Sequence, residues 1–472
     1  VGILAQGRTL EVPLSDFAPD LDPISRGVIV DMDGVIPTVK GYASRPAPES
    51  LGAPALAAKP IGGFVAQFSD GTVKVYAGTS SNLYRLDGTS WTSVGGPYSV
   101  TGDHWHFAQF GDDVIAVAKG VSPQVATGAT GAFAALGGSP PANAEHVTVA
   151  SGTVFMTRGA DWFNSAVGTD NDWSPNIQTL AATGTIYELP GNITAVATLF
   201  RSVVLWKERG MWVGQFVGPP TTWSFSLVST LTGCRGPFAA VNLPEAIAFL
   251  GTDDFYITRG YAPERIPNSL KEWFFATADP GLLHKVFGWY DPKAAIVYWH
   301  FVSKNPAVAG TPDTYVAWNV RTGKWAKGSH STDFVVPVTR PGRDSGLTFG
   351  TDKIIRSWTG TPGAAYLRTG LVGQAGRITQ VSRVRPRYAK NPRPDPNTAG
   401  LETAPNPQGE SLIVWSYLTS GALPETTTSA MLTEDGWHDV LAQGRYHQFE
   451  LETLGEMEVV ALEIEGREAG VQ

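Results

Sequence analysis

The chain has 472 residues, 42% of them hydrophobic and only 17% charged, with a formal net charge of −8 at neutral pH. That length and apolar content exclude a largely disordered chain and imply a large core with an appendage. The acidic balance argues against a non-specific nucleic-acid binder, which needs a basic groove to displace counterions from phosphate. A surface past which DNA slides without sticking stays open. Gly (53), Pro (34) and Trp (15) are abundant, a mixture of turn formers and aromatics that points to many short strands. Cys234 stands alone, so neither an intrachain disulfide nor a thiolate zinc site is expected, and its thiol reads as a small buried hydrophobe.

Residues 1–25 lack a basic segment followed by an apolar one, so no signal peptide is expected. The longest apolar runs, such as residues 245–250, are far too short to span a membrane, so no membrane embedding is expected. Residues 9–50 carry no repeat, and the segment 1–60 is expected to pack with the C-terminal region.

From residue 61 a repeat sets in. A β-rich run ends in glycine and an aromatic or apolar run follows: residues 73–78 then 83–86, 114–120 then 124–126, 154–159 then 162–163, 203–210 then 211–213, and 246–251 then 255–257. The marker glycines at 78, 120, 159, 210 and 251 step by 42, 39, 51 and 41 residues. A sixth copy spans residues 295–301 and 315–318, interrupted by a Pro- and Gly-bearing loop at 303–313. A seventh, shorter copy lies near residues 334–358. A closing aromatic strand is expected at Trp91, Trp173, Trp223 and Trp325. The first unit divides into four strands near residues 64–68, 72–77, 83–86 and 91–94, with Asp70-Gly71 and Asp87-Gly88 supplying turn chemistry.

Four strands in roughly 40–50 residues is the arithmetic of a propeller blade. An immunoglobulin-like sandwich needs about 100 residues and seven strands per unit, twice the spacing found here. The expected fold is therefore all-β: a six- or seven-bladed β-propeller over residues 61–360, followed by a β-sandwich platform formed by residues 361–472 with the N-terminal segment. Within that region, residues 378–388, 411–417, 445–452 and 459–465 read as strands. Residues 390–409, rich in Pro and Asn, read as a mobile loop.

Charge is segregated in this last region. Basic residues stand at 368, 377, 383, 385, 387, 390 and 393 with no acidic residue among them, and acidic ones at 450, 452, 456, 458, 463, 465 and 468. Arg383, Arg385 and Arg387 share one face of their strand, and Glu463 and Glu465 share one face of theirs. They are either solvated faces paired within the sandwich or complementary subunit interfaces in a ring. These five are the candidate interface residues.

No catalytic constellation emerges. His104 and His106 share one strand face, but a metal needs more ligands than the local Asp103 supplies. Asp112-Asp113, Asp170/Asp172 and Asp253-Asp254 are carboxylate pairs, yet glycoside hydrolysis needs carboxyls facing each other across a cleft, and such residues ordinarily form turns. Residues 86–91 resemble the Asp-box of sialidase propellers only in part, because the Trp comes one residue early. Neither a phosphate-binding loop nor a Gly-x-Ser-x-Gly elbow is present. No enzyme activity, cofactor or metal is expected.

Three stretches resemble the tail nozzle (tail hub, or packaged-DNA stabilisation) proteins of short-tailed bacteriophages. In residues 28–42 an apolar strand with an acidic turn leads through Gly41-Tyr42 towards the first blade. The blade text of residues 75–86, closing with Trp91, and the ending, residues 445–449 through 459–470, are similar to that family as well. The resemblance implies a virion protein made in the host bacterial cytoplasm, with a propeller seated on a platform built from both chain ends. It implies a homo-oligomer, a sixfold ring below the portal and the adaptor (head–tail connector) ring, beside tail fibres or spikes. Such a ring retains packaged viral DNA and then lets it pass without sequence-specific binding. The alternative is a phage tail-fibre or a carbohydrate-binding or -cleaving propeller, which would show an aromatic-and-carboxylate cleft. A scaffold propeller that docks other proteins is a third possibility.

Overall fold

The computed structural model describes residues 8–25, 27–337, 346–374, 376–389, 410–419, 423–429, 433 and 435–471. Within them lie seven four-stranded antiparallel sheets and two larger sheets. The seven are propeller blades. Their first strands are Pro60–Gln67, His106–Phe110, His146–Ala150, Ala195–Leu199, Ala240–Asn242, Phe287–Asp291 and Thr332–Val336, and each neighbours the next around a closed ring.

The second strand of most blades shows why the sheets pack this way. In Asp113–Val117, Thr153–Arg158, Ser202–Lys207, Ile247–Leu250 and Ile296–Phe301 nearly every residue is buried, rather than every other one. A strand that hides both faces needs a neighbour on each side, and a ring of blades supplies both. The marker glycines have two physical causes. Gly120 and Gly159 have φ of 89° and 59°, the left-handed region a side chain avoids. Gly78, Gly210 and Gly251 instead make room for an aromatic ring, since a Cβ there would press on Trp105, Trp212 and Tyr256 respectively.

The seventh blade is closed from the other end of the chain. Its strands Thr332–Val336, Leu347–Gly350 and Ile355–Gly360 are completed by Ala47–Ser50, which pairs antiparallel with the third of them. The N-terminal segment thus divides: its last strand joins the propeller, and the strands before it join the sandwich.

One sandwich sheet runs in the order His438–Gly444, Arg377–Tyr388, Glu458–Val471, Tyr42–Ser44, Val35–Pro37, with Arg8–Pro13 also pairing Glu458–Val471. The other runs Asp16–Phe17, Val28–Asp33, Ala364–Thr369, Tyr446–Leu454, Ser411–Tyr417, Glu425–Ser429. Both chain ends contribute to both sheets. Strand Ser411–Tyr417 alternates buried and half-buried residues along its length, as a sheet with one face in a core should. Val384, Leu412, Val414, Phe449, Leu451 and Ile464 meet in that core.

One expectation needs amendment. Trp173 closes no strand: blade three ends with Ala182–Thr185, and Trp173 lies in the long excursion before it, in the cluster that Ile115, Val117 and Leu136 of blade two share with Val154 and Met156 of blade three. The fold is all-β as expected, with a short helix, Lys271–Thr277, and a 3-10 turn, Pro280–Lys285, in the connection from blade five to six. The stretch read as a mobile loop, residues 390–409, lies outside the described residues, as do Lys390 and Arg393.

Candidate functional site

The five candidate interface residues come together, but within one chain. Strands Arg377–Tyr388 and Glu458–Val471 are antiparallel neighbours, with Arg383 opposite Glu465 and Arg385 opposite Glu463. The pairs close at 2.6 Å for Arg383–Glu465 and 2.5 Å for Arg385–Glu463, while Arg387 reaches Glu11 on the next strand at 2.9 Å. Trp437 lies under both Arg383 and Arg385, 4.8 and 4.7 Å from their guanidinium carbons. The charges thus face each other within the sandwich, while the Arg383, Arg385 and Arg387 side chains stay about half exposed.

The residues weighed for chemistry hold structure instead. His104 contacts Asp103 at 2.8 Å and stacks on His146, while His106 and Phe238 close the cluster edge-on. Burial pushes His106 down to about 3, so it stays neutral and accepts the Val147 N–H at 3.2 Å. Phe238 meets Phe334 of blade seven as well, and so joins blades two and seven from the lead-in to blade five. Asp112 accepts from the Ser69 backbone and hydroxyl, and Asp253 from Tyr256 and Arg265. The Cys234 thiol is buried and pushed up to about 12, with desolvation the main cause, which leaves no thiolate for nucleophilic work. Among the described residues no group of three or more His, Cys, Asp or Glu side chains is placed to hold a metal ion. No helix among them is long and apolar enough to cross a membrane.

The most specific polar chemistry sits where the sandwich docks on the outer strand of blade six, Trp325–Ser329. The Asp16 carboxylate accepts the Trp325 N–H at 2.7 Å, the Asp33 carboxylate accepts the Ser329 N–H at 2.8 Å, and Tyr42 donates to the Trp325 carbonyl at 2.9 Å. Asn319 donates to the Pro37 carbonyl at 3.0 Å, and Lys327 pairs with Asp31 at 2.6 Å. Asp20 caps the short helix by accepting from Glu272 and Trp273 N–H groups. An outer propeller edge that would otherwise present unpaired backbone is thereby covered. Desolvation raises Asp16 to about 6, partly offset by the two backbone N–H groups and the Lys324 charge.

Beside this junction a cleft of about 1010 Å³ opens between blades six and seven and the hairpin that carries residues 36–46. Trp289 and Tyr298 stack in its wall at 4.4 Å and 6°. Arg45 lies flat between Tyr315 and Trp358, 4.9 and 4.6 Å from their ring centres. His300, 1% exposed, accepts from the Trp289 indole N–H at 3.2 Å. Carboxylates stand in the cleft as well: Asp291 in a turn, Glu456 at the open side and Glu458, which accepts from the Thr38 hydroxyl at 2.8 Å. Nothing in the sequence marked Asp16, Arg45 or His300. Asp16 and Arg45 gain their neighbours only where the N-terminal segment meets blades six and seven, some 270–310 residues away, and His300 is one polar residue in an otherwise apolar strand.

No family model and no curated protein matches the chain. Solved structures similar to it include the extracellular domain of a one-component system from B. thetaiotaomicron, at 10% identity and a TM-score of 0.44 over 74% of this chain. The chain spans 44% of that protein's length. The β-propeller domain of Cps50 from Myceliophteria thermophila is similar at 7% identity and a TM-score of 0.41, over 63% of this chain and 96% of the other. BamB from Moraxella catarrhalis is similar at 11% identity and a TM-score of 0.40, over 70% and 96% of the respective chains. The sheet topology itself makes the chain a β-propeller joined to a β-sandwich.

Proposed function

We propose that the protein is a structural component of a bacteriophage tail, a ring-forming nozzle that extends the DNA conduit below the portal and adaptor. One observation carries this reading. Both chain ends are woven into a single sandwich seated on the propeller, the arrangement implied by the resemblance of residues 28–42, 75–91 and 445–470. Two further features support it. The junction is held by backbone and side-chain bonds from blade six to four separate points of the N-terminal segment, which suits a rigid mechanical part. The net charge of −8 suits a conduit that must not grip phosphate.

In this role the protein makes no covalent bond. Its copies stand side by side, with the connector ring above and fibres or spikes around them, and DNA passes between the copies. The test is electron microscopy of the purified protein at high concentration, alone and with the adaptor ring of the same phage. Sixfold rings with an open centre are expected. Particles that stay monomeric even with the adaptor, or threefold rods, would overturn the reading in favour of a fibre or carbohydrate-binding propeller.

A further inference from the structure

We infer that the cleft between blades six and seven and the sandwich hairpin is a binding site for a small ligand bearing a carboxylate, held by the Arg45 guanidinium and the Nδ1–H of His300. The inference does not depend on the tail reading.

Arg45 carries five N–H donors, yet among the described residues it packs on two ring faces and makes one long hydrogen bond, 3.5 Å to the Ser329 carbonyl. It forms no ion pair among the described residues. The cleft's own carboxylates are turned elsewhere. Asp291 accepts from the Lys293 and Ala294 N–H groups at 2.9 and 3.2 Å, Glu458 takes the Thr38 hydroxyl, and Glu456 is exposed. A guanidinium packed between rings, with no carboxylate paired to it among the described residues, is pre-arranged for one that arrives from outside.

His300 supplies the second donor. Its Nε2 is occupied by the Trp289 N–H, which places the ring proton on Nδ1. Burial, followed by the charges of His330 and Arg45, holds its pKa well below the ordinary value, so the ring stays neutral with that tautomer. Nδ1 is buried and has no acceptor among the described residues. A buried donor left unmatched is destabilising, and an arriving acceptor relieves that cost. The volume lies at the upper end of the range for small-molecule sites, ample for a body larger than acetate.

A sugar acid and an aromatic acid each join a carboxylate to a flat face that can lie on the Trp289–Tyr298 wall, so they are the two sources tested. The experiment titrates the full chain with trigalacturonate, with its carboxyl-reduced neutral analogue and with benzoate, read by calorimetry and by Trp fluorescence from Trp289 and Trp358. One of the two acids is expected to bind and the neutral trisaccharide to bind at least tenfold more weakly. Saturation by trigalacturonate alone names a sugar acid, and saturation by benzoate names an aromatic acid. Arg45→Gln, with folding checked by thermal melting, should weaken binding tenfold or more, and Arg45→Lys should restore it only in part. Because Arg45 also packs between rings, Glu456→Arg at the exposed mouth serves as a second variant, and it should tighten acid binding severalfold. The inference is overturned if neither acid binds, if the neutral analogue binds equally, if folded Arg45→Gln binds as the native chain does, or if Glu456→Arg leaves acid binding unchanged.

Discussion

In blades one to six, each strand pairs with the one before it in sequence, even where a long excursion separates them, as between Asp161–Asn164 and Ala182–Thr185. In the sandwich, strand Glu458–Val471 pairs with Arg377–Tyr388, with Arg8–Pro13 and with Tyr42–Ser44, so its partners come from both extremes of the chain. Both parts cover sheet faces with other sheets, but the propeller does so with local contacts and the sandwich with distant ones. Closing long loops costs entropy before any contact returns it, so blades one to six are expected to form before the sandwich. The seventh blade belongs with the sandwich in this respect, since its last strand, Ala47–Ser50, comes from the far end of the chain.

The largest effect should follow from deleting residues 1–50. That removes the strand closing blade seven and five strands of the sandwich at once, and opens sheet edges in both. Stability of about 5–15 kcal/mol does not survive such a loss. We expect no cooperative melting transition by circular dichroism. A truncated chain that melts like the full one would show that the two parts are less interdependent than the pairing suggests.

A smaller change should strike the sandwich alone. Glu410 and His438 pair at 2.7 Å with side chains 1% and 0% exposed, and the Tyr388 hydroxyl donates to the same carboxyl at 2.7 Å. Removing one member of a buried pair costs about 3–5 kcal/mol because its partners stay buried. Glu410→Ala should therefore lower protection from hydrogen exchange in Ser411–Tyr417 and His438–Gly444, and leave the second strands of blades two to four protected. Equal loss in both regions would mean that they open as one unit.

The junction between them should respond to pH. Asp16 sits at about 6 in the folded chain, above its value when unfolded, so between roughly pH 4 and 6 the folded state holds more protons. Its contribution to stability therefore grows as pH falls through 6 and is lost as pH rises through it. Asp16→Asn keeps an oxygen for the Trp325 N–H and cannot titrate. The variant should match or exceed the native chain at pH 7, and that advantage should shrink towards pH 4. Parallel melting profiles for the two proteins across this window would refute the assignment.

The same contrast of local and distant contacts decides what the sequence discloses. Blade one is legible nearly strand by strand, because Asp70-Gly71 and Asp87-Gly88 mark turns between neighbours that pair. Blade seven was legible only in its first three strands, since nothing near Ala47–Ser50 says that it completes a sheet begun some 280 residues later. Trp173 misled because aromatic spacing alone does not separate a closing strand from an excursion packed on the blade before it. In the sandwich, the strand containing Arg383 and the one containing Glu465 are both legible, and pairing within the sandwich is one of the two readings their charges allow, but only the register places Arg383 opposite Glu465. The cleft was invisible for the same reason.

The smallest effect tests that last point. Arg387 pairs with Glu11 across two strands, each side chain 46% exposed, where water and salt screen the attraction. Exposed pairs of this kind contribute about 0–1 kcal/mol. Arg387→Ala should thus shift the melting temperature by little at low salt and by nothing measurable at 1 M salt. If the pair's role is only to satisfy the sandwich face, ring assembly should also be unchanged. A variant that melts normally yet no longer assembles would return Arg387, and with it the strand face of Arg383 and Arg385, to the boundary between subunits.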